Sequence, residues 1–494
     1  MFMLRRIRIV LAAVCTMLIT VLLLDFTGAA YHWLGWLSRI QFLPAVLALN
    51  VVVIVSLLLL TLVFGRVYCS VICPLGVMQD LISWIHGRRK KNRFTYGRPK
   101  NWLRYPLLAM LVVGVALGVG AIVTILSPYG TYGTIVGNLL QPLYIWCNNG
   151  LAAIAEHYGS YAFYAKEVWI KSVPVLVCAI VLFLAIFVLA WRGGRTYCNT
   201  ICPVGTLLGF VARFSWLKVH FDTDKCKNCG LCAKNCKASC IDLKAHKIDY
   251  SRCVTCGDCV DKCGFGALTY AHAPSAKKEE SDTAPVDATR RALLVGAAAL
   301  GAEAAMGKLK KVDGGMTVLD DRITPPRHVT PTPPGSLSVR NLEHRCVGCQ
   351  LCISKCPNGV LRPSADLTRL MQPEMNFDRG FCRPECTMCS HVCPAGAIQP
   401  ISVADKSSTQ IGHAVWRRKY CVPLTDKVDC GNCARHCPTG AIQMVPSDPT
   451  DDTSFEIPVV NTEKCIGCGS CEYVCPARPH SAIYVEGHET HKTL

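Results

Sequence analysis

Four long apolar stretches dominate the first half of the chain, at residues 9–26, 43–64, 105–126 and 173–191. Each is long enough to cross a bilayer as a helix, and each carries almost no charge. The second half has no apolar stretch of this length, and cysteines recur in it at regular intervals. The pattern therefore predicts an α-helical membrane domain with four spans in contact with the lipid bilayer, followed by domains of a different kind.

Basic residues flank these stretches unevenly and predict the orientation of the membrane domain. They precede the first stretch and fill the segment between the second and third, as Arg5, Arg6, Arg8, Arg88, Arg89, Lys90, Lys91, Arg93, Arg98, Lys100 and Arg104. Short cytoplasmic segments are rich in Lys and Arg, so we expect the N-terminus, residues 65–104 and the chain just after residue 191 on the cytoplasmic side of a bacterial inner membrane. Much of the net charge of +18 lies beside the spans, and no nucleic-acid partner is expected.

A sequence repeat follows two of the stretches. GRVYCSVICPLG at residues 65–76 returns as GRTYCNTICPVG at residues 194–205. This predicts an internal two-helix repeat that places both copies at the same membrane interface. Its cysteines, Cys69, Cys73, Cys198 and Cys202, are interpreted as a redox-active thiol set, a metal site, a contact to a partner, or packing residues around a helix that ends at proline.

Two cysteine motifs between residues 216 and 270 have the CxxCxxCxxxC spacing of a two-cluster bacterial ferredoxin. They comprise Cys226, Cys229, Cys232 and Cys236, and Cys253, Cys256, Cys259 and Cys263. In such domains the fourth cysteine of each motif binds the cluster of the other, so we expect Cys263 to complete the first cluster and Cys236 the second. Cys240 follows Cys236 at another three-residue gap and is the alternative ligand.

Four more motifs fill residues 336–494, and the fourth cysteine of each is followed by proline. They comprise Cys346, Cys349, Cys352 and Cys356; Cys382, Cys386, Cys389 and Cys393; Cys421, Cys430, Cys433 and Cys437; and Cys465, Cys468, Cys471 and Cys475. Thiolates at this spacing are typical of 4Fe-4S clusters, whereas structural zinc sites use CxxC pairs separated by longer loops. The sequence therefore predicts six 4Fe-4S clusters in α+β ferredoxin-like domains. Cys15, Cys147, Cys178 and Cys240 are interpreted as packing residues.

The composition divides the chain into four parts. We expect a membrane domain at residues 1–215, a two-cluster ferredoxin domain at 216–270, a linker at 271–335 and a four-cluster polyferredoxin domain at 336–494. In the linker, Arg290 and Arg291 precede a short apolar run and the small residues Ala302 and Ala304. This order is typical of a twin-arginine export signal, and the apolar run is short for a fifth membrane span. The first ferredoxin domain is therefore expected in the cytoplasm and the second in the periplasm.

Neither haem nor a built-in nicotinamide or flavin domain is expected. The apolar stretches contain no histidine that could bind a haem iron, and the chain has no CxxCH motif for covalent haem attachment. No GxGxxG sequence follows a strand pattern. Electrons would therefore travel on iron-sulfur clusters in this chain.

These motifs together resemble two ferredoxin families of periplasmic nitrate reductase systems. Residues 1–270 resemble the NapH-like membrane ferredoxin and residues 289–494 the NapG-like exported polyferredoxin, so the chain looks like a fusion of the two. The resemblance implies electron transfer from the quinol pool to a periplasmic or membrane redox partner, such as a reductase or cytochrome. It also implies that the first polyferredoxin motif pairs with the fourth and the second with the third, which places Cys475 with Cys346, Cys356 with Cys465, Cys437 with Cys382 and Cys393 with Cys421.

Quinol oxidation needs a group that accepts protons, and the segment between the third and fourth stretches offers three candidates. These are Glu156, His157 and Glu167. The alternative function is that of a metal (cupric) reductase or an assembly factor of a respiratory enzyme, because the first half also resembles cupric-reductase-type assembly factors with CxxxCP in their spans. A phenotype that depends on copper or thiols when Cys69 or Cys198 is changed would favour that alternative.

Overall fold

The computed structural model describes residues 2–89, 94–272, 323–450 and 454–494. Most of the predicted linker, with Arg290, Arg291, Ala302 and Ala304, lies outside these residues, as do Lys90, Lys91 and Arg93. The described chain is α-helical up to residue 212 and forms α+β ferredoxin-type domains after it. The α+β part of the predicted fold is thereby confirmed.

The helical part runs from α1 to α13 within the described residues. These are α1 (Phe2–Leu24), α2 (Ala29–Arg39), α3 (Phe42–Leu47), α4 (Val51–Phe64), α5 (Val67–Val71), α6 (Pro74–Arg89), α7 (Asn101–Leu117), α8 (Gly120–Leu126), α9 (Pro128–Ile135), α10 (Gln141–His157), α11 (Val173–Gly193), α12 (Thr196–Thr200) and α13 (Pro203–Ala212). A π-helical turn, Val136–Leu140, joins α9 to α10. By length and composition, two of the described helices could cross a membrane, Arg5–Leu24 within α1 and Val173–Gly193 as α11.

Two of the predicted spans are interrupted. Residues 43–64 divide into α3 and α4, where Leu49 has a φ of 55° and the side chain of Asn50 accepts a hydrogen bond from the Val53 amide at 3.3 Å. Residues 105–126 divide into α7 and α8 at Gly118, whose φ of 75° lies in the left-handed region. These two stretches are therefore not single continuous helices, and the arrangement with four spans stays a prediction.

The repeated sequence folds the same way twice. In each copy a long helix ends at a glycine with positive φ, 75° at Gly65 and 65° at Gly194. A five-residue helix then carries the first cysteine, and the proline begins the next helix. The helices α4, α5 and α6 thus correspond to α11, α12 and α13. Because α5 ends at Val71 and α12 at Thr200, the second cysteine of each copy lies just outside its short helix.

The first ferredoxin domain begins directly after the helical part. Its first strand, β1 (Leu217–Phe221), pairs antiparallel with its last, β4 (Leu268–His272), and a hairpin of β2 (Ile241–Asp242) and β3 (Lys247–Ile248) lies between them. Two short helices, α14 (Leu231–Lys234) and α15 (Asp258–Asp261), carry the third cysteine of each motif. The paired end strands bring the two motifs side by side.

The second ferredoxin domain consists of two similar units. Its helices are α16 (Val339–Arg345), α17 (Leu351–Ser354), α18 (Met388–His391), α19 (Val403–Ser408), α20 (Val422–Thr425), α21 (Asn432–Arg435) and α22 (Ser470–Val474), with a 3-10 turn at Arg418–Tyr420. Its antiparallel strand pairs are β5 (Leu361–Pro363) with β6 (Pro373–Met375), β8 (Ile442–Pro446) with β9 (Glu456–Val460), and β7 (Thr409–Trp416) with β10 (Ile483–Thr493). The β5–β6 hairpin joins the first two cysteine motifs, and the β8–β9 hairpin joins the last two.

The two ferredoxin domains contact opposite ends of α1. At its N-terminal end, Arg5 donates hydrogen bonds to Asp258 and Asp261 of the first domain, both at 2.8 Å. Just beyond its C-terminal end, Asp25 accepts a hydrogen bond from the buried Lys355 of the second domain. Arg5 and Asp25 are 20 residues apart in sequence, so a rise of 1.5 Å per residue separates these contacts by about 30 Å. The helical part therefore lies between the two ferredoxin domains.

Candidate iron-sulfur sites

Each ferredoxin motif folds as a tight loop that leads into a short helix. The loops contain residues with positive φ, 51° at Asn228 and 65° at Gly348, which curve the backbone around the first sulfur of the motif. Backbone amides consequently point at sulfur, since Asn228 N donates to Cys226 Sγ at 3.4 Å and Gly348 N to Cys346 Sγ at 3.5 Å. Such hydrogen bonds stabilise thiolate ligands and help to set the potential of an iron-sulfur cluster.

In the first domain the two motifs exchange their fourth cysteines. Cys226, Cys229, Cys232 and Cys263 surround one cavity, which we call site I. Cys253, Cys256 and Cys259, together with Cys236 and Cys240, surround a second cavity, site II. The structure thus brings together the same thiols that we expect to share a cluster from the spacing of the motifs.

The second domain contains four such groups of thiols. Site III consists of Cys346, Cys349, Cys352 and Cys393; site IV of Cys356, Cys382, Cys386 and Cys389; site V of Cys437, Cys465, Cys468 and Cys471; and site VI of Cys421, Cys430, Cys433 and Cys475. The first motif therefore pairs with the second, and the third with the fourth.

The pairing implied by the polyferredoxin resemblance is wrong. Cys475 lies with Cys421 and not with Cys346, while Cys393 lies with Cys346 and not with Cys421. The remaining exchanges differ in the same way, because Cys356 lies with Cys382 and Cys437 with Cys465. The physical reason is the pair of hairpins, β5–β6 and β8–β9, each of which folds a motif back onto its neighbour in sequence.

The arrangement of these thiols suits 4Fe-4S clusters. Among the described residues, no three His, Cys, Asp or Glu side chains are arranged to hold a single metal ion. In a cubane each thiolate binds a different iron, so the four ligands stand further apart than those of one tetrahedral ion. Burial raises the pKa of Cys256 and of Cys349 to about 12. A sulfur buried in this way becomes a thiolate when a metal supplies the compensating positive charge.

Comparison with protein families agrees with this chemistry. A 4Fe-4S binding domain family matches residues 46–93, 176–223 and 389–402. Two families of 4Fe-4S dicluster domains match residues 428–478 and 249–360. The chain carries 4Fe-4S ferredoxin-type domains. No solved structure matches the chain significantly.

Several ferredoxin-type proteins are similar to part of the chain. It is 29% identical over 235 residues to the ferredoxin-type protein NapH of Escherichia coli K12, which covers 46% of the chain and 69% of NapH. It is 29% identical over 201 residues to the methylamine utilization ferredoxin-type protein MauN of Paracoccus denitrificans, and 31% over 147 residues to MauM of Methylobacillus flagellatus. These two matches cover 40% and 29% of the chain, and the chain spans 57% of the length of MauN and 62% of that of MauM. The NapH-like resemblance is thereby supported, and the fusion with a NapG-like part stays a prediction.

Site II contains a fifth thiol. Cys240 Sγ lies 3.5 Å from Cys236 Sγ and also contacts Cys253. This contact lowers the pKa of Cys236 and raises that of Cys240. The interpretation of Cys240 as a packing residue is therefore wrong, because Cys240 borders the cavity of site II. The sulfurs of Cys236 and Cys240 both line this cavity, and the geometry admits either as the fourth ligand.

The cysteines of the repeat also come together. Cys69, Cys73, Cys198 and Cys202 are all buried, and their sulfurs interact electrostatically across the two copies. The remaining cysteines differ from these four, since Cys15 and Cys178 are half-buried and Cys147 is exposed. Among the described residues, these three belong neither to sites I to VI nor to the four cysteines of the repeat.

Sites III to VI follow one another in single file. The contacts that link successive sites are Cys352 with Cys389, Cys382 with Cys468, and Cys471 with Cys433. Site III lies directly against the helical part, because Gly133 of α9 lies against the carbonyl oxygen of Cys349. Site VI is therefore the member at the far end of the file.

A cavity of about 640 Å³ lies between the helical part and the second ferredoxin domain. Its lining includes Gln141, Trp169 and Lys171, together with Cys356 of site IV. Lys171 Nζ donates a hydrogen bond to Gln141 Oε1 at 2.7 Å. The sequence did not indicate these residues, because α10 and the segment before α11 meet only in the folded chain.

One of the three candidate bases borders this cavity. Glu167 is part of its lining, has a side chain that is 85% exposed, and pairs with Arg379 of the second ferredoxin domain at 3.1 Å. Glu156 and His157 lie at the exposed C-terminal end of α10, away from the lining. The structure therefore separates Glu167 from the other two.

Proposed function

We propose that this chain is a membrane-bound iron-sulfur electron-transfer protein that takes electrons from the quinol pool and passes them to a periplasmic or membrane redox partner. The observation that carries the proposal is the position of the two ferredoxin domains at opposite ends of α1. Arg5 joins the first domain to one end, and Asp25 joins the second domain to the other. Electron transfer itself agrees with the similarity to ferredoxin-type proteins.

Lipid contact is supported by the apolar side chains on the outside of the helical part. Val10 and Met17 of α1 are 60% and 70% exposed, and Val181 and Leu184 of α11 are 58% and 52% exposed. An apolar surface of this kind is unusual on a soluble monomer and suits the hydrocarbon core of a bilayer. With the N-terminus in the cytoplasm, as the basic flanks indicate, the first ferredoxin domain would lie in the cytoplasm and the second in the periplasm.

The 24 ferredoxin cysteines would hold six 4Fe-4S clusters, one at each of sites I to VI. A 4Fe-4S cluster accepts and releases one electron at a time, which suits the stepwise oxidation of a quinol. Site VI, at the end of the file, is then the place where a periplasmic partner receives electrons.

The cavity beside Cys356 is the proposed quinol site. Its volume of about 640 Å³ lies within the usual range for small-molecule sites. The Lys171 ammonium and the Gln141 amide offer hydrogen bonds to a quinol oxygen, and Trp169 offers an apolar face. Each quinol gives up two electrons, one after the other, and two protons. The exposed carboxylate of Glu167 at the same cavity would accept the protons and release them to water.

Quinol-driven reduction in sealed vesicles tests this site. The full chain is reconstituted anaerobically, a reduced quinol is added, and cluster reduction is followed by EPR and by loss of visible absorbance. Lys171→Met or Gln141→Leu should slow reduction by quinol roughly tenfold, the effect of one lost hydrogen bond, without changing reduction by dithionite. The matched control is Glu156→Gln at the exposed end of α10. Equal rates in all variants would remove the cavity from the proposal.

The two-sided arrangement has its own test. Reporters fused before residue 2 and after residue 494 should report opposite sides of the membrane, with the N-terminal reporter in the cytoplasm. If both reporters lie in the cytoplasm while the twin-arginine export machinery is intact, the second ferredoxin domain is not exported. The proposed transfer to the periplasm would then be wrong, whereas the cluster content would be unaffected.

A further inference from the structure

Four buried thiols from the two copies of the repeat belong to none of sites I to VI. Cys69, Cys73, Cys198 and Cys202 are each 4–5% exposed. Cys73 lies within electrostatic range of Cys69 and Cys198, and Cys202 lies within range of the other three. Two thiols come from each copy, so the group has the approximate two-fold symmetry of the repeat. We call it the interrepeat site.

Hydrogen-bond donors surround these sulfurs. Gln79 Nε2 lies 3.1 Å from Cys198 Sγ, and the Gly205 amide lies 3.4 Å from Cys202 Sγ. The amide of Gly76 donates to Cys73 in the equivalent position of the other copy. Arg66 Nη2 lies 3.8 Å from Cys69 Sγ. Donors directed at every sulfur suit anionic thiolates rather than neutral thiols.

The buried charge of Arg66 also favours anionic sulfurs at this site. Its side chain is fully buried, and its partners are neutral oxygens of Asn199, Ser251 and Cys198. Within the described residues it has no carboxylate partner, whereas the equivalent Arg195 is paired with Asp80. A buried cation without an anion is unfavourable by several kcal/mol, so a negatively charged group beside Arg66 would stabilise the fold.

We propose that Cys69, Cys73, Cys198 and Cys202 hold an additional iron-sulfur cluster between the two copies of the repeat. An independent observation supports it. The 4Fe-4S binding domain family matches residues 46–93 and 176–223, and the cysteines of the first segment are Cys69 and Cys73 alone. Neither segment contains a ferredoxin motif, so the match there rests on the repeat itself.

The interrepeat site lies between the two ferredoxin domains. On one side, Arg66 Nη1 donates to the Ser251 carbonyl at 3.1 Å, two residues before Cys253 of site II. On the other side, Tyr197 lies beside Cys202 and close to Thr131 of α9. The neighbouring Gly130 and Gly133 of α9 lie directly against the backbone of Val347 and Cys349, next to site III. The additional cluster would therefore relay single electrons between sites II and III.

Iron counting tests the proposal. The full chain is purified anaerobically, and iron and acid-labile sulfide are measured for the wild type and for the double variant Cys69→Ser/Cys198→Ser. We expect the variant to lose about four iron and four sulfide for a cube, or about two of each for a 2Fe-2S cluster, and to keep the roughly 24 iron of the ferredoxin sites. The matched control is Cys15→Ser/Cys178→Ser, which should lose none. An unchanged iron content in Cys69→Ser/Cys198→Ser overturns the proposal.

A second variant keeps the test valid if the cysteine variant does not fold. Gln79→Leu removes the donor to Cys198 Sγ and leaves every cysteine in place. Because hydrogen bonds to sulfur stabilise the reduced cluster, one midpoint potential should fall while the iron content stays the same. If no potential changes, Cys198 does not bind a cluster. This inference rests on the proposed function, and the two are separable. A chain without iron refutes both, whereas about 24 iron unaffected by Cys69→Ser/Cys198→Ser refutes only the additional cluster.

Discussion

Arg66 and Arg195 occupy equivalent positions in the two copies of the repeat, and each donates a hydrogen bond to a cysteine carbonyl of the opposite copy. Arg66 bonds to the carbonyl of Cys198, and Arg195 bonds to that of Cys69. Both guanidinium groups are fully buried. The exchange ties the two copies together at the residues that carry the thiols, so the position of each sulfur depends on the copy that does not contain it.

Removal of the carboxylate that pairs with Arg195 should destabilise the chain strongly. Asp80 accepts two hydrogen bonds from Arg195 at 2.7 Å and lies 3.0 Å from Lys237 of the first ferredoxin domain. Although burial opposes it, the charges of Arg195 and Lys237 hold the pKa of Asp80 well below its ordinary value. Asp80→Ala leaves the buried Arg195 without a carboxylate, although Lys237 keeps its pair with Asp258 at 3.1 Å, and should lower the free energy of unfolding by about 3–5 kcal/mol, measured in detergent. The control is Asp222→Ala, which breaks an exposed pair with Lys225; similar unfolding midpoints for the two variants would contradict the prediction.

Double variants should reveal which cysteines share a cluster in the second ferredoxin domain. Cys475 lies in site VI with Cys421, whereas Cys346 lies in site III. Cys475→Ala and Cys421→Ala should each remove the same cluster, so the double variant should lose no more iron than either single variant. Cys475→Ala combined with Cys346→Ala should lose about twice as much. Additive losses for Cys475 with Cys421 would restore the pairing of the first motif with the fourth.

Single variants should decide between the two adjacent thiols of site II. Because the contact with Cys240 lowers the pKa of Cys236 and favours the Cys236 thiolate, we expect Cys236 to bind the cluster. Cys236→Ala should therefore lose about four iron, and Cys240→Ala should keep them and shift the EPR signal of one cluster. The reverse pattern would assign the cluster to Cys240.

The stability of the second ferredoxin domain should fall in acid because of His491. Burial and the neighbouring His488 lower the pKa of His491 to about 4, and its Nε2 lies 2.9 Å from Thr332 Oγ1. The unfolded chain binds a proton on His491 below about pH 6.5, whereas the folded chain binds it only near pH 4. The contribution of neutral His491 to the free energy of unfolding is therefore complete above about pH 6.5 and is lost as the pH falls towards about 4. Between about pH 7.5 and pH 5.5 the wild type should lose roughly 1 kcal/mol more than His491→Gln in denaturant unfolding. Parallel pH profiles for the two proteins would show that His491 is not responsible.

The sequence predicted which cysteines form each motif, but not which motifs of the second ferredoxin domain exchange their fourth cysteines. The CxxCxxCxxxC spacing indicates that a fourth cysteine leaves its motif, but it contains no information on which motif receives it. In the structure that choice depends on the β5–β6 and β8–β9 hairpins, whose strands are short and have no strong pattern. The repeat, by contrast, predicted that its two copies lie at one interface, and in the structure Cys69, Cys73, Cys198 and Cys202 come together there, as expected for duplicated units that pack about a two-fold axis.

Two other features could not be predicted from the pattern of apolar residues. The helix breaks at Leu49 and Gly118 change the backbone direction without changing hydrophobicity, so the stretches that contain them look continuous. The cavity beside Cys356 joins Gln141 and Lys171, which are 30 residues apart and belong to different elements. Neither residue has a motif around it, and only their contact in the folded chain makes them a candidate site.

The separation of the ferredoxin domains by the length of α1 has a consequence for the influence of membrane voltage. On the proposed orientation, with the outside positive, an electron that moves from site II to site III travels with the field and gains about 2.3 kcal/mol per 100 mV, while the reverse step loses as much. Electrons that enter beside Cys356 join the file at site IV, already on the outer side, and reach site VI without crossing the field. A membrane voltage of this sign would thus favour electron transfer from the cytoplasmic clusters outwards and oppose the reverse transfer. It would leave electron transfer from quinol to site VI unchanged.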